Sequence, residues 1–240
     1  MRIVVLNCNT TASMTETIRL GAVDAAAHGT EIIALTPDWG PASVEGFYES
    51  FIAAAAMLDK LTTLDEPYDG VIMAGFGEHG REGARELLSV PVVDITEAAG
   101  HMASLLGHKY GVVTTLDRAV GQVQDSLKLA GLMENCAAVT STGLGVLELD
   151  EDEERTERAF IEAGRIAIKA GAEVLTLGCA GMSGLQVRMA EELGVPVVDG
   201  VASAVKLVEG LVQMKLSTSK IRSYAYPLDK PRPGWPVSKN

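Results

Sequence analysis

The 240-residue sequence lacks the excess of basic residues that nucleic-acid binding requires. It contains 20 Lys and Arg residues against 32 Asp and Glu residues, which gives a formal net charge of −12. A surface of this sign repels a phosphate backbone. No basic cluster with interleaved aromatic residues occurs along the chain either. Nucleic acid is therefore not an expected partner.

Long apolar runs are also missing. A membrane-spanning helix needs about 20 consecutive apolar residues, whereas the longest candidate, FIAAAAML at 51–58, has the pattern of a buried helix face. The first apolar run, MRIVVLN, passes at once into the polar NCNTT, so it is too short for a signal peptide. We expect no membrane partner and a cytoplasmic location.

Cysteine is scarce, and its spacing matches no metal-binding pattern. Cys8, Cys136 and Cys179 are far apart in the sequence, and the four histidines form no cluster with acidic residues. We therefore expect a reduced protein with no metal site. Hydrophobic residues make up 47% of the chain, which is enough for a sizeable core.

Short β-branched runs alternate with helical patterns along the chain. Strands are predicted at 3–7, 31–35, 70–74, 91–95, 110–114, 137–140, 174–178 and 196–199. Helices are predicted at 13–27, 44–61, 80–88, 97–106, 117–130, 151–170, 183–193 and 201–214. Continuous apolar strands separated by helices are typical of parallel sheets covered on both faces. The pattern predicts an α/β fold.

Two segments of the chain resemble each other. Residues 70–100 and 173–205 both consist of a strand, a turn of small residues, a helix, a PVVD strand and another helix. The alignment places Gly75 opposite Cys179. Two related lobes that face each other would bring both turns to one cleft at the carboxyl ends of the strands, where ligands bind in open α/β sheets.

The cysteines at strand ends are candidate reactive groups. Cys179 follows an apolar strand and precedes small residues that open a predicted helix. Unsatisfied backbone N–H groups and the positive end of the helix dipole favour a thiolate there, and an inert buried cysteine is the alternative. Cys8 ends the first strand, where it either lines the same cleft or is an ordinary loop cysteine. Cys136 has the pattern of a structural residue.

The turn FGEHG, predicted to lie opposite Cys179, holds the other candidates. Neutral imidazole is a suitable base near neutral pH, so His79 is a candidate base, with a solvated loop histidine as the alternative. Gly75-Phe76-Gly77 lacks the Lys-Ser/Thr of a P-loop and the third glycine of a dinucleotide fingerprint. Its backbone N–H groups could instead stabilise a developing oxyanion or enolate.

Several motifs occur in the order found in one enzyme family. They are LNCNTT (6–11), GPASVEG (40–46), AGFGEHG (74–80), VPVVDI (90–95), VVTTL (112–116), LGCAGM (177–182), VPVVDG (195–200) and TSK (218–220). Across nearly its whole length the sequence resembles the hydantoin/allantoin racemases of the aspartate/glutamate racemase superfamily.

The resemblance implies two pseudo-symmetric lobes, each a parallel sheet flanked by helices, with the active site in the cleft between them. One lobe would comprise residues 1–97 plus 202–240, and the other residues 98–201. The resemblance also implies a homo-oligomer that works without a cofactor.

The chain departs from the family pattern at the expected first thiol. Family members similar to it use two cysteines on opposite faces of the stereocentre; Cys179 matches the second, whereas the first would fall at Gly75. Cys8 stands where the family has proline, and His79 replaces the proline of Phe-Gly-Asp-Pro-Gly. Three explanations are open: His79, or a water it holds, replaces the missing base; the glycine is an engineered change; or protonation is one-sided, as in the arylmalonate decarboxylases.

From the resemblance we expect a racemase of 5-monosubstituted hydantoins, with Cys179 on one face of C5 and His79 as the candidate for the other. The expected substrate-binding residues are Asn7, Asn9, Trp39, Val44, Gly75, Phe76, Gly77, Thr114, Thr115, Ala180 and Gly181. A single-thiol decarboxylase or isomerase of arylmalonate or maleate type is the alternative. A non-catalytic small-molecule binding protein that kept the cleft is a third possibility.

Overall fold

The computed structural model describes residues 1–180 and 184–237 and contains two four-stranded parallel sheets. The first sheet has the order β2-β1-β3-β4, with β1 at Arg2–Asn7, β2 at Glu31–Leu35, β3 at Gly70–Ala74 and β4 at Val92–Asp94. The second has the order β6-β5-β7-β8, with β5 at Tyr110–Thr114, β6 at Cys136–Ser141, β7 at Val174–Leu177 and β8 at Val197–Val198. The same strand order occurs twice, so the two-lobed α/β fold is confirmed.

Eight α-helices cover the sheets in the described part of the chain. They are α1 (Ala12–Ala25), α2 (Phe47–Leu61), α3 (Arg81–Leu87), α4 (Ile95–Ser104), α5 (Asp117–Leu129), α6 (Glu153–Lys169), α7 (Leu185–Leu193) and α8 (Gly200–Gln213). Their bounds differ from the predicted ones by a few residues, and the predicted start of α7 at 183 lies outside the described residues. None of these helices is long and apolar enough to cross a bilayer.

The repeated PVVD motif is an edge strand followed by a helix cap. The Asp94 carboxylate accepts a hydrogen bond from the Glu97 backbone N–H at 2.8 Å, and Glu97 accepts one from the Asp94 N–H at 3.2 Å. The Asp199 carboxylate accepts from the Ala202 N–H at 2.8 Å. Each aspartate satisfies a first-turn N–H group, which stabilises the start of the following helix. The motif occurs twice because α4 and α8 both start directly from an edge strand.

Helix α8 returns the chain to the first sheet. Its buried side chains Val201, Val205 and Val208 share one core with Ile3 and Ile72 of the first sheet. The chain therefore leaves the second sheet after β8 and ends beside the first. The residue bounds of the two lobes stay a prediction.

A buried ion pair ties α3 to the end of β4. Arg81 is only 1% exposed, and its guanidinium binds the buried Asp94 carboxylate and lies 3.4 Å from Glu97. Both acidic residues also form the cap of α4. The start of α3, and with it the turn at 75–80, is thereby fixed against the first sheet.

The segment that follows α8 packs along α3. The Lys220 ammonium donates to the carbonyl oxygens of Arg85, Glu86 and Leu88 at 2.7, 2.9 and 2.9 Å. These carbonyls lie at the C-terminus of α3, where a cation is favourable. Lys220 thereby holds the segment around it against α3.

Replacement of Arg81 by alanine should lower the free energy of unfolding by about 3–5 kcal/mol, because it leaves a buried carboxylate without its partner. Urea denaturation measures the change. Arg19→Ala is the control, since Arg19 pairs with Glu16 at the surface at 2.7 Å and such pairs contribute about 0–1 kcal/mol. Equal losses in the two variants would contradict a structural role for the Arg81 pair.

Candidate active site

The carboxyl ends of the four central strands meet at one cavity. Asn7 ends β1 and Thr114 ends β5, while Gly75 directly follows β3 and Cys179 lies two residues beyond Leu177, the last residue of β7. Both sheets therefore contribute to the same site. The geometry places the cavity where open parallel sheets bind ligands.

Most of the predicted site residues line this cavity. They are Asn7, Asn9, Val44, Gly75, Phe76, His79, Thr114, Thr115, Cys179 and Ala180. Gly181 lies outside the described residues. Trp39 does not line the cavity. Its indole N–H donates to the Asp59 carboxylate on α2 at 2.7 Å, and its predicted contact with the substrate stays a prediction.

The Gly77 backbone has a partner within the protein, and its predicted contact with the substrate stays a prediction. Its N–H donates to the Thr96 hydroxyl at 2.8 Å, so it already has an acceptor within the protein. Gly77 has a φ of 130°, and a Cβ there would lie 3.1 Å from the His79 Nε2 atom. Glycine at this position therefore lets the turn pass close to the imidazole, and Gly77 does not line the cavity.

Asn7, at the end of β1, and Asn9, two residues later, have different hydrogen-bond partners. The Asn7 amide donates to the Asn9 and Thr15 side chains at 3.0 Å each, and its oxygen accepts from the Asn9 N–H at 3.2 Å. Asn7 thus shapes the loop. The Asn9 amide nitrogen contacts the Met14 sulfur at 3.5 Å. Because thioether sulfur is a weak acceptor, Asn9 is the better donor for a ligand.

Two cysteine thiols line the cavity, one from each sheet. Cys8 follows β1 and is 9% exposed, and Cys179 follows β7 and is half-buried. Burial, together with the smaller effect of the nearby Cys179, raises the pKa of Cys8 to about 12. Of the two interpretations that the sequence allows for Cys8, the structure supports the one in which it lines the cleft.

His79 is buried in the wall of the cavity with only 4% of its surface exposed. Its Nδ1 atom lies 3.0 Å from the Ser50 hydroxyl and 3.5 Å from the Gln122 amide nitrogen. Burial lowers the pKa of His79 to about 4, while a hydrogen bond with the Phe76 backbone opposes that shift. The imidazole is therefore neutral at physiological pH.

Gly75 and His79 fit each other. A Cβ built on Gly75 would lie 2.3 Å from the His79 Cδ2 atom and 2.6 Å from the Cys8 Cβ atom. Both distances are far below van der Waals contact, so the imidazole and Cys8 fill the space that a side chain at 75 would need. Gly75 and His79, the two positions of this turn that depart from the family pattern, therefore lie next to each other.

The segment 40–46 closes the cavity from the first lobe. Val44 lines the cavity, and the Glu45 carboxylate accepts a hydrogen bond from the Val146 N–H at 2.8 Å. Because Val146 follows β6 of the second sheet and also lines the cavity, this bond joins parts of the chain from both sheets beside the site. In the described residues no group of three or more His, Cys, Asp or Glu side chains is arranged to hold a metal.

Comparison with known proteins places the chain in a family. Residues 3–208 match the family model described as Asp/Glu/Hydantoin racemase. The chain belongs to the Asp/Glu/Hydantoin racemase family. A hydantoin racemase from Rhizobium meliloti is 37% identical to it over 239 residues, which cover 99% of each sequence.

Solved structures agree with this assignment. The allantoin racemase from Pseudomonas fluorescens has 55% sequence identity and a TM-score of 0.95, covering 97% of this chain and 99% of its own. Arylmalonate decarboxylase has 16% identity and a TM-score of 0.57, covering 88% of this chain and 92% of its own, so that likeness concerns the fold. The protein is an isomerase of the racemase type.

Sequence reasoning about this racemase missed several residues of the cavity. They are Met14, Ile18, Ala74, Ala119, Gln122, Val146 and Gly178. Gln122 had a detectable signal, because it lies on the buried face of α5 between Ala119 and Ser126 at helical spacing. A polar amide on such a face requires a buried partner, and His79 is that partner.

Replacement of Gly75 by alanine should lower the free energy of unfolding by about 1–3 kcal/mol, because the new methyl group overpacks the site. In a His79→Ala background, Gly75→Ala should lower the free energy of unfolding by less, because the His79 Cδ2 atom that the new methyl group would meet is absent. Chemical denaturation of the four proteins in this cycle measures the coupling. Gly121→Ala on α5 is the control, because its Cβ would meet only a Phe47 atom at 4.0 Å. If Gly75→Ala lowered the free energy of unfolding equally with and without His79, the imidazole would not restrict the space beside Gly75.

The stability of the protein should fall on acidification in a manner that depends on His79. The unfolded imidazole takes up a proton below its usual pKa of about 6.5, whereas the buried one does so only near pH 4. The contribution of His79 to the free energy of unfolding is therefore present above pH 6.5 and is lost as the pH falls towards 4. The loss is on the order of 2 kcal/mol between pH 7 and 5. Urea midpoints against pH for wild type and His79→Gln test this. The variant should show the shallower slope, and exposed His28→Gln is the control.

Proposed function

We propose that the protein racemises 5-monosubstituted hydantoins, with allantoin, the 5-ureido member of that class, as the first substrate to test. Similarity to relatives named hydantoin racemase and allantoin racemase supports this choice. The observation that carries the proposal is the position of Cys179. Its thiol lies at the carboxyl edge of the second sheet, in a cavity that both sheets form.

The chemistry needs a base and a place for negative charge. The C5 proton of a hydantoin is acidified by the adjacent ring carbonyl. The Cys179 thiolate accepts that proton, and the electron pair of the C–H bond moves into the carbonyl as an enolate. Backbone N–H groups near Phe76, Thr115 and Ala180 stabilise the charge, and the Asn9 amide hydrogen-bonds the ring.

The second acid or base comes from the first sheet. The wall on that side contains Cys8, Gly75 and His79, and glycine has no side chain to contribute. The role predicted for His79, or for a water that it holds, stays a prediction. A homo-oligomeric assembly and a cytoplasmic location stay predictions as well.

The proposal is tested by incubating each enantiomer of allantoin and of 5-benzylhydantoin with the protein in D₂O. Chiral chromatography should show conversion to the racemate, and mass spectrometry should show deuterium at C5. An arylmalonate serves as the comparison substrate. Decarboxylation of the arylmalonate, with no deuterium exchange at C5 of allantoin or 5-benzylhydantoin, would support the single-thiol alternative. Binding of these compounds without turnover would support a non-catalytic protein.

Replacement of Cys179 by alanine should reduce racemisation by about 100- to 10,000-fold, the usual contribution of a positioned general acid or base. The rate of change of optical rotation measures the effect. Cys136→Ala is the matched control, because Cys136 is also buried but lies on β6 outside the cavity. Undiminished activity of Cys179→Ala would overturn the assignment of this thiol.

A further inference from the structure

Cys8 and Gly75 occupy adjacent positions at the carboxyl edge of the first sheet. Strands β1 and β3 pair in parallel, with Asn7 opposite Ala74, so the next residues along the two strands are Cys8 and Gly75. A Cβ built on Gly75 would lie 2.9 Å from the Cys8 sulfur. The thiol of Cys8 therefore fills space that a side chain at position 75 would enter.

Two departures from the family pattern meet at this point. The family resemblance places a thiol at position 75 and a proline at position 8, and this chain has glycine and cysteine there. We propose that Cys8 is the second acid/base of the racemisation, so that the missing thiol is supplied from the neighbouring strand end. The inference rests on the proposed racemase function and names a catalytic residue for it.

The surroundings of His79 favour a positioning role for the imidazole. Ser50, Gln122 and the Phe76 backbone all hold the ring through hydrogen bonds. The Cδ2 atom of the ring lies so close to Gly75 that a Cβ there would be only 2.3 Å from it, which excludes a side chain at position 75. His79 thus occupies the remaining space beside Gly75 and supports the wall in which Cys8 lies.

The two thiols are suited to share one proton. They lie on different sheets around one cavity, and each opposes a negative charge on the other. Because Cys8 is the buried member and its pKa is raised to about 12, it carries the proton in the resting enzyme. Like-charged neighbours commonly titrate in this stepwise way.

The proposed step balances in protons and electrons. The Cys179 thiolate forms an S–H bond with the C5 proton, and the C–H electron pair moves into the enolate. The enolate then forms a new C5–H bond on the opposite face with the proton of the Cys8 thiol, which becomes a thiolate. The other enantiomer is converted by the same steps in reverse, starting from the Cys8 thiolate and the Cys179 thiol.

The test is C5 hydrogen exchange of each enantiomer of allantoin in D₂O, followed by NMR together with chiral chromatography. Cys8→Ala and the size-matched Cys8→Ser should lose racemisation by about 100- to 10,000-fold. Both should still exchange the C5 proton of one enantiomer with retention, through Cys179. Cys179→Ala should retain exchange only with the opposite enantiomer.

Three controls make the result decisive. Cys136→Ala should behave as wild type, and circular dichroism should show that each variant is folded. His79→Gln should slow both enantiomers alike if the imidazole only positions the wall. Exchange lost for one enantiomer in His79→Gln, with Cys8→Ser fully active, would overturn the proposal and assign the base to His79.

The remaining outcomes are also distinguishable. Wild-type activity in both Cys8 variants would refute the role of Cys8 while leaving the racemase function intact. Loss of exchange for both enantiomers in folded Cys8→Ser would show a structural role and also refute it. A wild-type protein that exchanges neither hydantoin would refute the proposed function itself.

Discussion

The two-lobed structure depends on the packing of helix α4 between the sheets. Ile95 and Ala98 belong to the core under the first sheet, whereas Ala99 and Ala103 belong to the core under the second. Helix α8 crosses α4 closely, since a Cβ on Gly200 would lie 2.7 Å from the Ile95 carbonyl oxygen. Small side chains permit this approach. Helix α4 thus contacts both sheets, and the carboxyl edges of both sheets line one cavity.

The turn at 75–80 is held by its neighbours and not by its own sequence. Arg81 fixes one end of the turn through the buried pair with Asp94, and the other end leaves β3 directly. Between these ends, the His79 ring packs against Gly75 and Gly77, and Ser50 and Gln122 hold its polar edge. Two of the residues that depart from the family pattern, Gly75 and His79, are therefore in contact within this turn.

Two residues of the predicted site, Trp39 and Gly77, do not line the cavity. Each hydrogen-bonds a protein group about twenty residues away in the sequence, Asp59 and Thr96 respectively. A local pattern does not show such partners. The strands, in contrast, were predicted well, because continuous β-branched runs between helices have few other stable arrangements.

The sequence by itself determined the α/β fold, the repeated strand–helix–PVVD unit, the position of Cys179 at a strand end and the family. Each of these depends on local patterns or on motifs in a fixed order. Only the tertiary structure decided that Cys8 lies beside Gly75 and that both thiols share one cavity. That arrangement depends on the register between β1 and β3, which are more than sixty residues apart. Parallel pairing across such a separation is set by packing of the whole lobe, and no short segment encodes it.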